Sequence, residues 1–158
     1  MIDAPDCGTA LDAFNSISSQ LINHDPNHNL LLSAHAYWAA PQFDPWLALT
    51  LALGAQIPVV FGEIANKQKE NGDECYWDLD GTNVGHAPKI QFKYQDLLAT
   101  LANSDIGWLA WCWWRDKCHA REMTRDGTFA GLTPYGSDLV HNATYGLKTH
   151  AQRTPTLP

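Results

Sequence analysis

The chain has 158 residues, 45% of them hydrophobic and 17% charged, which is enough for one hydrophobic core and too apolar for long disorder. Its formal net charge is -7 and its basic residues are scattered, so nucleic acid and anionic membrane surfaces lack their usual electrostatic footprint and a neutral partner fits better. No apolar run of about 18 residues occurs, and no basic segment followed by an apolar one opens the chain, so neither a membrane span nor a signal peptide is read.

Leu11, Phe14, Ile17, Leu21 and Ile22 follow one helical face until Asp25-Pro26 breaks it, which predicts a first helix. Leu30-Leu31-Leu32-Ser33-Ala34-His35-Ala36-Tyr37 then reads as a strand that begins apolar and ends in functional side chains. Asp44-Pro45 is a cap followed by a first-turn proline, and the apolar run Trp46 to Leu53 predicts a second helix stopping at Gly54. Val59-Val60-Phe61, bounded by Pro58 and Gly62, predicts a strand buried on both faces with Glu63 at its carboxyl end.

The polar stretch from Asn66 to Lys89 holds Gly72, Gly81, Gly85 and Pro88 and shows no period, so it reads as one long loop. Tyr94, Leu97, Leu98 and Leu101 keep helical spacing. Gly107 to Trp114 predicts a third strand rich in tryptophan, and the stretch from Arg115 to Gly136 reads as a second long loop. Ser137-Asp138 opens a final helical segment carrying Leu139, Val140, Ala143 and Leu147, and residues 154–158 form a tail after a domain spanning 1–153.

Strands alternating with helices on long crossovers require parallel pairing. An eightfold barrel of this kind takes about 250 residues. Three clear strands and a remnant before Asp3 therefore resemble half a barrel. In such barrels the carboxyl ends of strands line the active site, which makes Glu63 a candidate nucleophile against the plainer reading of a solvated carboxylate. His35 and Tyr37 stand two apart, as do Trp111 and Trp113, so on strands each pair shares a face. The competing reading is a core histidine and packed aromatics. Seven tryptophans and five tyrosines also supply flat faces that suit sugar rings.

The four cysteines are compatible with disulfides or with inert thiols; among pairings, Cys112 to Cys118 is preferred. Cys112, Cys118 and His119 lack a Cys-x-x-Cys partner pair, so no metal site and no cofactor is expected. Asn142-Ala143-Thr144 matches a glycosylation sequon, which matters only in a eukaryotic secretory host.

Five segments in order carry a family resemblance: Ile2-Asp3-Ala4-Pro5, Asp25 to Leu30, Ser33-Ala34-His35-Ala36-Tyr37, Pro58 to Glu63, and Ile106 to Trp113. With Leu132 to Gly136 and Tyr145 to Lys148 they resemble the second half of family five glycoside hydrolases, the cellulase and mannanase group. The resemblance implies a TIM (β/α)8 barrel of which this chain covers strands 6 to 8 with flanking helices, Met1-Ile2 being a stub of strand 5. It implies Glu63 as nucleophile, His35 and Tyr37 as substrate contacts, with the tyrosine also touching the nucleophile, and Trp111, with Trp113 beside it, as sugar platform. It further implies retaining hydrolysis of a β-linked polysaccharide outside the cell.

Retaining chemistry needs a second carboxyl about 5 Å from the first. In the family this is a glutamate following an asparagine on strand 4, and no Asn-Glu pair occurs here; Glu70, Glu74 and Glu122 lie in loop-like stretches. The expectation is negligible hydrolysis by this chain alone, with the missing half-barrel or a second copy as partner. The alternative is a non-catalytic carbohydrate-binding or scaffold half-barrel.

Overall fold

A computed structural model of the chain describes residues 1–27, 29–39, 43–69, 75–81, 92–104 and 106–151. The helix-forming patterns place α1 at Asp12–His24, α2 at Pro45–Gly54, α3 at Tyr94–Leu101, α4 at Pro134–His141 and the single turn α5 at Leu147–His150. Strands β1 (Ile2–Asp3), β2 (Leu32–His35), β3 (Val59–Ile64) and β6 (Trp108–Ala110) form one parallel sheet in the order β1-β2-β3-β6, while β4 (Lys67–Lys69) and β5 (Cys75–Asp78) form a separate antiparallel pair. Each strand of the main sheet lies beside its predecessor with helix between, the winding of part of a TIM barrel.

α2 starts where the sequence predicts: the Asp44 side chain accepts from the N–H groups of Trp46 and Leu47, and Pro45 takes the position whose N–H would have no partner. α1 keeps most of its predicted face, with Leu11 and Phe14 buried and Leu21 packed against the core, but departs from it at one position. Phe14 and Ser18 are buried and Ile17 is 37% exposed. α1 is tied to α2 by Asn15 Nδ2, which donates to the Ala48 carbonyl at 3.2 Å. α4 begins three residues before its predicted start, because Thr133 caps it by accepting from Gly136 N–H and Pro134 occupies the first turn.

Two further expectations are corrected. β3 is not buried on both faces: Val59 and Phe61 are buried, whereas Val60 between them is half-exposed, since alternate strand residues face opposite sides and only one side is covered. Within the stretch read as a loop after Asn66, β4 and β5 form a hairpin joined by a Lys67–Asp78 ion pair. With three residues in β4, Lys67-Gln68-Lys69, and four in β5, Cys75-Tyr76-Trp77-Asp78, each strand is too short to set a readable period. Residues 70–74 and the remainder of that stretch, 82–89, lie outside the described residues, as does the boundary of the expected tail at 154–158.

The core joins strand residues Leu32, Ala34, Phe61 and Ile64 to helix residues Phe14, Leu49, Leu97, Leu98 and Leu139. Trp38 anchors it, making edge-on contacts to Phe43, Phe61 and Phe92 at centroid distances of 6.0, 5.8 and 5.2 Å. Tyr135 donates to the Ile64 carbonyl at 2.7 Å and thereby ties α4 to the end of β3. Among the described residues, no helix is long and apolar enough to cross a membrane.

Candidate active site

A bulge at Gly62 builds the centre of the site. Ala34 pairs with Phe61 but His35 pairs with Glu63, so β3 carries one residue more than β2 at this point. A Cβ on Gly62 would meet Ser33 Oγ at 2.4 Å and His35 Nε2 at 3.1 Å, so glycine suits the bulge that sets His35 and Glu63 side by side. A second glycine closes the other flank. Gly8, with φ +89, lies against the His35 ring and accepts the His35 N–H at 2.8 Å, which seats the imidazole between the first loop and β3.

Tyr37 lies two residues beyond the end of β2, and its hydroxyl donates to Glu63 Oε2 at 2.7 Å. Burial, with the hydrogen bond to Glu63 and the carboxylate's charge added to it, raises the tyrosine's pKa far above its ordinary value, so the phenol keeps its proton and acts as a donor. His35 Nδ1 lies 3.9 Å from Glu63 Oε1, and its Nε2 lies 3.5 Å from Asp3 Oδ1. The imidazole thus stands between two carboxylates.

These groups line an open cleft of about 600 Å³ together with Gly8, Gln68, Trp111 and Arg121. Of the residues singled out in the sequence, Glu63, His35, Tyr37 and Trp111 come together there. Trp113 does not line the cleft. β6 ends at Ala110, so the alternation that would put Trp111 and Trp113 on one face stops before either residue. Trp113 instead packs on Phe129 with ring centroids 4.8 Å apart and donates its indole N–H to the Gly127 carbonyl at 3.1 Å.

The Cys112 to Cys118 pairing is also corrected: Cys112 is a free thiol, and Cys118 is disulfide-bonded to a different partner. Cys112 is held by backbone bonds, its N–H donating to the Arg121 carbonyl and its carbonyl accepting from Met123. Burial, followed by the nearby charges of Asp116 and Glu122, pushes its thiol up to about 11.

The loop after β6, which the sequence left featureless, supplies a buried polar cluster. Asp116 Oδ2 accepts from Trp111 Nε1 at 2.6 Å and from Arg121 Nε at 2.9 Å, and Asp116 Oδ1 accepts the Cys118 N–H at 2.8 Å. Arg121 stands over the Tyr37 ring, its guanidinium carbon 5.7 Å from the centroid. Desolvation pushes the Asp116 pKa up, but the hydrogen bonds from Cys118, Trp111 and Arg121 outweigh it and hold the carboxyl below its ordinary value. Glu122 is likewise held down: the Asp116 N–H and His119 outweigh its desolvation. It stays ionised and occupied, which makes it a poor proton donor to a substrate. Asp116 and Arg121 carried no signal in sequence spacing; their roles arise from contacts across the loop. Among the described residues, no group of three or more His, Cys, Asp or Glu side chains could hold a metal ion.

No family model and no curated protein matches the chain. Solved structures do. The β-mannanase of Streptomyces thermolilacinus with mannohexaose superposes with a TM-score of 0.74 at 20% identity, over 96% of this chain and 45% of that one. The catalytic domain of a mannanase from Streptomyces sp. SirexAA-E gives 0.71 at 21% identity, over 98% and 44%. A mannohexaose complex of Thermomonospora fusca β-mannanase gives 0.67 at 19%, over 95% and 43%. The chain therefore has the fold of part of a β-mannanase catalytic domain, spanning less than half the length of the structures it matches.

Proposed function

We propose that this chain is the nucleophile-bearing part of a retaining β-glycanase barrel of the family five type, contributing strands 6 to 8, with a mannan-type or cellulose-type β-linked polysaccharide as substrate. The observation that carries the reading is the Tyr37 hydroxyl bound to Glu63 Oε2 at 2.7 Å inside a cleft that also holds His35 and Trp111. A donor of this kind fixes one carboxylate oxygen and leaves the other free to attack an anomeric carbon. His35, beside the same carboxylate, is placed to contact sugar hydroxyls, and the exposed face of Trp111 offers a platform for an apolar ring face. Likeness in fold to mannanases puts mannan first among substrates, and an extracellular setting follows from the same reading.

The second carboxyl is the point on which activity turns. Glu122 is engaged in the loop cluster, Glu70 and Glu74 lie outside the described residues, and no Asn-Glu pair occurs in the chain. Without leaving-group protonation, a step that contributes about 10²–10⁴-fold, the chain alone is expected to be inactive. The test is reconstitution. Supplied with a half-barrel carrying the Asn-Glu strand, the chain is expected to hydrolyse mannan or cellulose, and Glu63→Gln should lower turnover by about 10⁴-fold or more while leaving binding largely intact. Turnover persisting in that variant would refute the nucleophile role. Binding of manno- or cello-oligosaccharide without turnover after reconstitution would favour the second reading, a non-catalytic carbohydrate-binding module.

A further inference from the structure

We infer that Asp116 is a positioning residue that holds the Trp111 indole in the cleft wall and, through Arg121, registers that wall to the Tyr37–Glu63 pair. Trp111 is the cleft's exposed aromatic, 37% accessible, and packing alone does not fix an indole that stands so far into solvent. Its ring is held instead by one hydrogen bond, Nε1–H to Asp116 Oδ2 at 2.6 Å, short as befits an ionised acceptor. The same oxygen takes Arg121 Nε at 2.9 Å and Nη2 at 2.8 Å. The Asp116 side chain is only 8% exposed and the Arg121 side chain 12%, so water competes poorly for these bonds. Arg121 in turn lies over the Tyr37 ring, whose hydroxyl donates to Glu63.

Asp116 is itself anchored from both sides: Oδ1 accepts the Cys118 N–H at 2.8 Å, and its own N–H donates to Glu122 Oε1 at 2.8 Å. A carboxylate saturated in this way is a rigid acceptor, and the lowered Asp116 pKa keeps it charged across the neutral and mildly acid range. Charge strengthens the arrangement, since an ionised oxygen accepts from an indole and a guanidinium together more strongly than a neutral one. The consequence is a platform whose angle to the Glu63 carboxylate is set by a loop rather than by the sheet.

The inference rests on the cleft being a glycan site, and two readouts keep the two claims separable. The first is affinity of the whole chain for mannohexaose and cellohexaose. Asp116→Ala is expected to weaken binding about fivefold or more, Asp116→Asn, which keeps an acceptor oxygen for the indole, to recover most of it, and Asp116→Ala to add nothing in a Trp111→Phe background. Unchanged affinity in Asp116→Ala, or losses that simply add, would overturn the positioning role. The second readout is hydrogen exchange of the Trp111 indole N–H by NMR, which needs no sugar. It is expected to be slow in the wild type and in Asp116→Asn and fast in Asp116→Ala.

If neither hexaose binds the wild type, the glycan reading fails, and slow indole exchange alone then upholds the positioning while fast exchange overturns it. Should Asp116→Ala fail to fold, the wild type and Asp116→Asn carry the same test, because an indole N–H unprotected in the wild type overturns the inference directly.

Discussion

Cys7 and Cys112 differ in chemistry because they differ in surroundings. Cys7 is exposed at the rim of the cleft, and Cys112 is half-buried with its thiol pushed up to about 11 by burial and by neighbouring carboxylates. A disulfide-exchange reagent at pH 8 is therefore expected to label Cys7 first and Cys112 only slowly, with Cys112 becoming reactive once guanidinium unfolds the chain. Peptide mapping of the labelled protein checks this, and a Cys112 that stays unlabelled in denaturant would restore the Cys112 to Cys118 bridge. Glu63 presents the opposite case: its place at the end of an apolar run was legible, and the contacts that distinguish it come from His35 at the end of β2 and from Tyr37 two residues beyond it.

At the scale of elements, the loop between β1 and α1 shapes the site by pressing on β2. Gly8 holds φ +89 with its Cα facing the His35 ring, and an added Cβ would lie 2.4 Å from the ring carbon Cγ. Gly8→Ala combines a left-handed backbone with a clash, so a loss of about 1–3 kcal/mol in urea unfolding is expected, along with weaker oligosaccharide binding as His35 shifts. A loss confined to binding would mean that the loop yields without cost. The segment from Asp116 to Glu122 makes a separate, pH-dependent contribution. Both carboxyls have folded pKa values below their ordinary ones, so their stabilisation is complete above the unfolded values and is lost as pH falls through the folded ones. The stability gap between wild type and Asp116→Asn should be constant near pH 6 and shrink below about pH 4, as urea midpoints at several pH values would reveal. A gap that widened in acid would contradict the assignment.

For the molecule as a whole, the sheet has two open ends. β1 pairs only with β2, and β6 pairs only with β3, among the described residues. Apolar side chains mark both ends, with Met1 72%, Ile2 40% and Leu109 58% exposed. On the proposed half-barrel reading, parallel edges flanked by exposed apolar groups are expected to associate, with a complementary half-barrel or with a second copy. Light scattering after size exclusion is expected to show mass rising with concentration, and addition of a complementary half-barrel should replace the self-associated species with a one-to-one complex. A strictly monomeric chain at all concentrations would show that the edges are protected in some other way.

Local chemistry was enough to reveal parallel strands alternating with helices, the capped start of α2, and Glu63, His35, Tyr37 and Trp111 as a candidate set, because periodicity, caps and strand ends are written in neighbouring residues. The hairpin of β4 and β5 escaped because strands of three and four residues are too short to set a period. Only the tertiary structure decided that His35 and Glu63 meet across a bulge at Gly62, that Trp111 lines the cleft while Trp113 bonds to Gly127, and that Asp116 takes both the Trp111 indole N–H and Arg121. Those outcomes depend on register, on where β6 stops, and on contacts between residues far apart in the chain or folded back within one loop, and no spacing rule encodes them.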